Sequence, residues 1–92
     1  MLIRVLKIFE DFLEEFEYTK HASEMILERS IRTDWIESTL SNPDRAEFVD
    51  NEEVHYIKQI KEFGNRYLRI VVNPFSQPKK IIILFFDRRV RE

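Results

Sequence analysis

Arg69 stands in the middle of YLRIVV (67–72), a run with the composition of a β-strand. Alternation puts Tyr67, Arg69 and Val71 on one face and Leu68, Ile70 and Val72 on the other. An arginine at the centre of a strand needs a reason. One reading lays its stem across the sheet while the head reaches water or a carboxylate. The other offers the guanidinium on an open face, where it can hold a phosphate in a two-pronged contact. Arg88 and Arg89 follow the apolar run IIILFF (81–86). They are either gatekeeper charges beside an adhesive strand or partners of Arg66 and Arg69 in an electropositive pocket. If the strand continues, Arg89 lies with Phe85 and Arg88 with Phe86, so only one of them joins Arg69 without a bend.

Proton transfer has few candidates. His55 and Tyr56 open the strand-like run VHYIKQIK (54–61), and His21 follows Lys20 at a helix start. Histidine exchanges protons near neutral pH, and tyrosine does so where neighbouring arginines lower its pKa. The chain has no Gly-rich phosphate loop, no HExxH and no GxSxG. No spacing joins a histidine to carboxylates as a metal would require, so neither metal nor cofactor is expected. With no cysteine in the chain, disulfides and thiolate chemistry are excluded.

Charge is divided by position. Residues 54–92 carry nine Lys/Arg against three Asp/Glu, and residues 1–53 carry six against fourteen. The basic part also holds the best strand sequence, which suits a sheet facing a phosphate-bearing partner. The acidic part then reads as a helical scaffold.

Ninety-two residues allow one domain with one modest core, spanning 1–92. Its eight phenylalanines supply much of the core volume. The chain has no apolar run of the ~20 residues that span a bilayer, and its start, broken by Arg4, Lys7 and acidic residues, is not expected to act as a signal peptide. A cytoplasmic protein that does not enter a membrane is therefore expected.

Leu2, Val5, Phe9, Phe12, Leu13 and Phe16 recur at helical spacing, which predicts an amphipathic helix over 2–17, although 2–9 could also begin as a strand. Thr19 is expected to cap a helix over 20–29. Thr33 or Asp34 should cap another over 34–41, ended by Asn42-Pro43. The period then shortens to two, giving strands at 46–49, 54–61, 67–72 and 81–86, with Gly64 at a tight turn. Short connections imply an antiparallel meander. The expected fold is α+β: two to three N-terminal helices, in a helical layer over 1–43, packed on an antiparallel sheet of about four strands over 45–90.

Several short motifs resemble a small bacterial family of domains of unknown function. They are Tyr18-Thr19-Lys20-His21-Ala22, Arg29-Ser30-Ile31, Trp35-Ile36, Leu40 and Asn42-Pro43 in the helical half. In the sheet half they are His55-Tyr56, Gly64, Arg66, Leu68-Arg69-Ile70-Val71-Val72 and the 81–86 strand. Met25 stands where that pattern has arginine, and Ser30 where it has glycine. The layout is also similar to BrnT-like and RelE-like toxins, in which an arginine pair follows the last strand, as Arg88-Arg89 does here. That resemblance implies a metal-independent endoribonuclease of a toxin–antitoxin system, with RNA as substrate and a cognate antitoxin as partner. In such enzymes the RNA's own 2′-hydroxyl attacks while basic side chains stabilise the phosphorane and move protons. The residues it would recruit for catalysis are His21, His55, Tyr56, Arg69 and Arg88; RNA would lie on Arg66, Arg69, Lys79, Lys80, Arg88 and Arg89. The alternative is the same fold without catalysis, a protein-interaction or regulatory module whose acidic helices are the working surface, or an obligate homodimer that buries the N-terminal phenylalanines.

Overall fold

The computed structural model describes residues 5–7 and 15–90. In chain order its elements are β1 (Val5–Lys7), β2 (Glu15–Tyr18), α1 (Lys20–Arg29), α2 (Thr33–Ser41), β3 (Arg45–Val49), β4 (Glu53–Ile60), β5 (Arg66–Asn73) and β6 (Lys79–Phe86). The strands form one sheet in the order β1-β2-β6-β5-β4-β3. Five of them have four or more residues, and the three-residue β1 adds an edge. The expected antiparallel meander runs from β3 to β6. The sheet is nevertheless mixed, because β2 lies parallel to β6.

The helix expected over 2–17 is not what the described part of that segment forms. Residues 5–7 and 15–18 are extended, while 2–4 and 8–14 lie outside the described residues. Burial shows why the helical spacing misled at its C-terminal end. Phe16 and Tyr18 are both buried on either side of half-buried Glu17, a period of two. Strand pairing places them: Phe16 lies opposite Lys79 and Tyr18 opposite Ile81. Tertiary pairing overrides the weaker helical preference.

The two remaining helices cover one face of the sheet, α1 over β6 and β2, α2 over β4 and β5. Thr19 caps α1 as expected, its hydroxyl accepting the Ala22 N–H at 3.1 Å. The same hydroxyl donates to the Ile82 carbonyl at 3.0 Å, so one side chain both starts the helix and docks it on β6. Ile82 is the extra residue of a bulge, since Val71 pairs with Ile83 and Val72 with Ile81. The bulge lets Ile81 and Leu84, three apart, both face the helices, and both are fully buried. Helix α2 begins one residue before the expected start. Its cap is Arg32, which makes no capping hydrogen bond with its side chain; instead Arg32 pairs with Asp34 at 2.9 Å in the open.

Helix α1 ends at Ser30, whose φ of 53° is left-handed and whose N–H closes the last turn onto Ile26 and Leu27. This is the position at which the resembled pattern carries glycine. A side chain in this region costs ~1 kcal/mol relative to glycine. Ser30→Gly is therefore expected to raise the stability of the domain by up to about 1 kcal/mol, read as a shift in the denaturation midpoint. Gly64 has a φ of 66° and sits at the expected β4–β5 turn, after a single 3-10 turn over Lys61–Phe63.

The core lies between helices and sheet. Leu68, Ile70 and Val72 reach it from β5, joined by Ala22, Ile36, Ile81 and Leu84. Alternation thus puts Arg69 on the opposite face, which no described helix covers although Ile57 and Val71 are buried on it. At one end of the core Trp35, Phe63 and Phe86 stack together, with Trp35 5.1 Å from Phe63 and Phe63 4.7 Å from Phe86. Among the described residues, no helix is long and apolar enough to cross a membrane.

Candidate nucleic-acid interface

On the open face Arg69 is not free. Its Nε donates to Asp87 Oδ2 at 2.8 Å, its Nη1 to His55 Nδ1 at 2.8 Å, and Nη1 lies 3.7 Å from Glu47 Oε1. Of the two readings of this arginine, the structure shows the one in which the stem crosses the sheet to a carboxylate. A guanidinium only donates hydrogen bonds, so His55 Nδ1 must accept. The ring hydrogen is then on Nε2, 3.2 Å from Glu53 Oε1. Both ring nitrogens are engaged.

Asp87 is the hub of this cluster. It is 5 % exposed and immediately follows β6. Its two oxygens accept from Arg69 Nε and from the backbone N–H, Nε and Nη2 of Arg89, at 2.8–3.2 Å. Its own N–H donates to the Tyr67 carbonyl at 2.8 Å. The Arg89 side chain, the Arg89 N–H and Arg69 together hold the Asp87 carboxyl well below the usual carboxylate range, against the opposing effect of burial. Arg89 is correspondingly raised. Arg45, Arg69 and Arg89 meet Glu47, Glu53 and Asp87 around one cleft of about 560 Å³. The positive and negative side chains balance, and this face offers a polyanion little.

The charge division in the sequence therefore does not become two layers. The carboxylates that neutralise the sheet arginines come from β3 and from the end of β6, not from the helices.

The unneutralised arginines lie elsewhere. The strand does not continue past Phe86; Arg88 lies in the turn after Asp87 and is not among the residues lining the Arg69 cleft. It lines a second cleft, of about 840 Å³, with Arg29 from the end of α1 and Arg66 from the start of β5. Phe63, Tyr67 and Phe86 form its aromatic lining, Gln59 and Asn65 its amides, and Asp87 is the single carboxylate. None of the three arginines joins an ion pair among the described residues, and Arg66 lies over the Phe63 ring at 5.0 Å. The C-termini of α1 and β6 and the N-terminus of β5 meet at this end of the sheet, and that meeting gathers the charge.

The candidates from sequence are thus divided. Arg66 and Arg88 share the sheet-end cleft. Arg69, Arg89 and His55 share the open-face cluster. Tyr56 lies on the helix-covered face, packed against the core, and His21 is exposed in the first turn of α1. Lys79 and Lys80 are at the far end of β6, Lys79 over the Phe16 ring at 5.8 Å. Sequence reasoning gave no site role to Arg29, Tyr67, Glu47, Glu53 or Asp87. The Asp87-x-Arg89 spacing after an apolar strand was a local signal for the turn; the separations of the others left none. Among the described residues, no three His, Asp or Glu side chains gather as a metal ion would need.

The molecule is thus a small α+β domain, two helices on one face of a mixed sheet, with a basic, aromatic-lined cleft at the sheet end. It belongs to DUF4258, a family of domains of unknown function, whose model matches residues 18–86. The match begins within β2 and ends at the last residue of β6, one position before Asp87. No curated protein and no solved structure matched the chain.

Proposed function

We propose that this domain binds single-stranded RNA in the sheet-end cleft and cleaves it as a RelE/BrnT-like, metal-independent endoribonuclease of a toxin–antitoxin system. The observation that carries the reading is the convergence of Arg29, Arg66 and Arg88 on one cleft, without carboxylates of their own, beside Phe63 and Tyr67. Unpaired arginines attract phosphates, and aromatic rings that are half-exposed, as Phe63 and Tyr67 are, offer a stacking surface to unpaired bases. The cleft's volume is that of a small-ligand site, enough for one nucleotide at a time.

The chemistry is in-line attack of a 2′-hydroxyl on the adjacent phosphorus. The P–O2′ bond forms, the P–O5′ bond breaks, and the products are a 2′,3′-cyclic phosphate and a 5′-hydroxyl. The arginines offset the extra negative charge of the phosphorane. The 2′-hydroxyl proton passes in net to the leaving 5′-oxygen through Tyr67, whose hydroxyl gives its own proton to that oxygen and takes up the 2′ proton in its place, Asp87 of the same lining being already engaged. An antitoxin would act by covering this cleft.

The test is binding and cleavage of a labelled single-stranded RNA in the presence of a chelator. The wild type is expected to bind and cut. The Arg66→Ala/Arg88→Ala variant should lose both activities, whereas Tyr67→Phe should bind normally and cut at least tenfold more slowly. Binding without cleavage by the wild type would leave a non-catalytic RNA-binding module. No binding at low salt would overturn the proposal entirely.

His55 provides a control. Because its ring serves Arg69 and Glu53, His55→Ala should lower stability by about 1–2 kcal/mol through the unpaired guanidinium N–H. Its RNA affinity should be unchanged, as checked by denaturation and by the binding assay.

A further inference from the structure

The opposite edge of the sheet has a different character. Strand β3 is the last in the sheet order, and no described strand pairs with its outer side. Its five residues are Arg45, Ala46, Glu47, Phe48 and Val49. Among the described residues its contacts are chiefly with β4. On its helix side Phe48 is 63 % exposed and stacks at 6.4 Å on Phe75, itself 69 % exposed, from the β5–β6 loop. On the open side Arg45 and Glu47 stand two residues apart, 3.8 Å from one another.

We propose that β3 is the contact through which two copies of this chain associate, antiparallel and edge to edge, about a two-fold axis at Ala46. An exposed edge is a template for another strand unless charge or proline blocks it. Here the charges favour a second copy. An axis perpendicular to the sheet keeps the same faces together and pairs residues of equal parity. Centred on Ala46, it sets Arg45 opposite Glu47 of the second copy, twice by symmetry. Centred on Glu47, it would instead oppose two like charges. Between these two centres, charge favours the first. Ala46 meeting its own counterpart leaves space at the seam, toward which the Phe48 ring, opposite Asp44 of the second copy, leans from either side, covering part of its exposed apolar surface. The seam approaches the sheet-end cleft on one flank, where Asp44, next to Arg45, accepts the N–H of Gln59 from the cleft's lining.

The experiment is sedimentation of the full chain over a dilution series, with Arg45→Glu, Glu47→Arg and the double exchange. The wild type should show a concentration-dependent monomer–dimer equilibrium. Each single exchange replaces two attractive pairs by two repulsive ones and should weaken association at least about tenfold. A mixture of the two single variants should form a heterodimer, and the double exchange should restore the homodimer. Hydrogen exchange of the wild type, which needs no variant to fold, should show residues 45–49 protected at high concentration and open at low. A wild type that stays monomeric throughout overturns the proposal and leaves the edge to a strand from another protein. Association that the exchanges do not weaken, or whose exchange protection lies elsewhere, overturns it as well.

Discussion

Asp87→Ala should destabilise the domain by about 3 kcal/mol, a large share of the whole stability of a chain this size. The carboxylate is buried and accepts from Arg69 and from three N–H groups of Arg89. Its removal takes the nearest carboxylate from a guanidinium whose side chain is only 15 % exposed, leaving it His55 and the more distant Glu47. Losing Arg89 itself costs much less, because that side chain is 83 % exposed and water replaces its partner. Asp87→Asn keeps an acceptor but not the charge and should fall between wild type and alanine. Pairing Asp87→Leu with Arg69→Met removes both partners and should recover much of the loss, since it leaves no buried charge unmatched. The denaturation midpoint reads all three, with an unchanged slope showing that the unfolded state is not the cause.

The same carboxylate gives the domain an acid limit. The Asp87 carboxyl lies below its ordinary value in the folded chain, and near ~3.9 when unfolded. The unfolded state therefore takes up the proton first as acidity rises. The stabilisation is complete above about pH 5 and is lost as the pH falls through about 4 and below. In Asp87→Asn that part of the pH dependence should vanish, leaving a flatter stability profile in acid.

The largest effect on binding is expected from replacing Arg29, Arg66 and Arg88 together with alanine. Each phosphate neutralised in single-stranded nucleic acid contributes about 0.7 to the slope of log affinity against log salt. Without the three arginines that slope should flatten by about 2, and affinity at low salt should fall by roughly a hundredfold or more. Removing Arg45 and Arg89 from the balanced open-face cluster should leave the slope nearly unchanged. If that second pair matters as much as the first, RNA does not lie at the sheet end. The three arginines are exposed, so loss of fold does not complicate the comparison.

The sheet half of the molecule was legible because its strands are rich in β-branched and aromatic residues and are separated by strong turn residues. Gly64 and the Asn42-Pro43 stop fall where their chemistry requires. Residues 15–18 were not legible, because Phe12, Leu13 and Phe16 fit a helix while Phe16 and Tyr18 fit a strand equally well. Only the distant partner β6 decides between them. The site was legible in its residue types but not in its grouping. Arg69 needs a reason on sequence alone, yet the reason, Asp87, lies across a strand pairing that local pattern does not specify. Arg29 has the look of an ordinary helix-end residue, since nothing local says that α1 ends beside β5 and β6.

The parallel seam between β2 and β6 also sets the order in which this protein can be made. Thr19 reaches across sixty-three positions of sequence to bond Ile82, and β6 is the strand between β2 and β5. On the ribosome the middle of the sheet is thus the last strand to emerge. Until residues 79–86 appear, α1 and β2 have no surface to dock on, and β5 carries an open edge on its inner side. A nascent chain halted before β6 would hold two incompatible halves rather than most of a domain, and closure of the fold would come late and all at once.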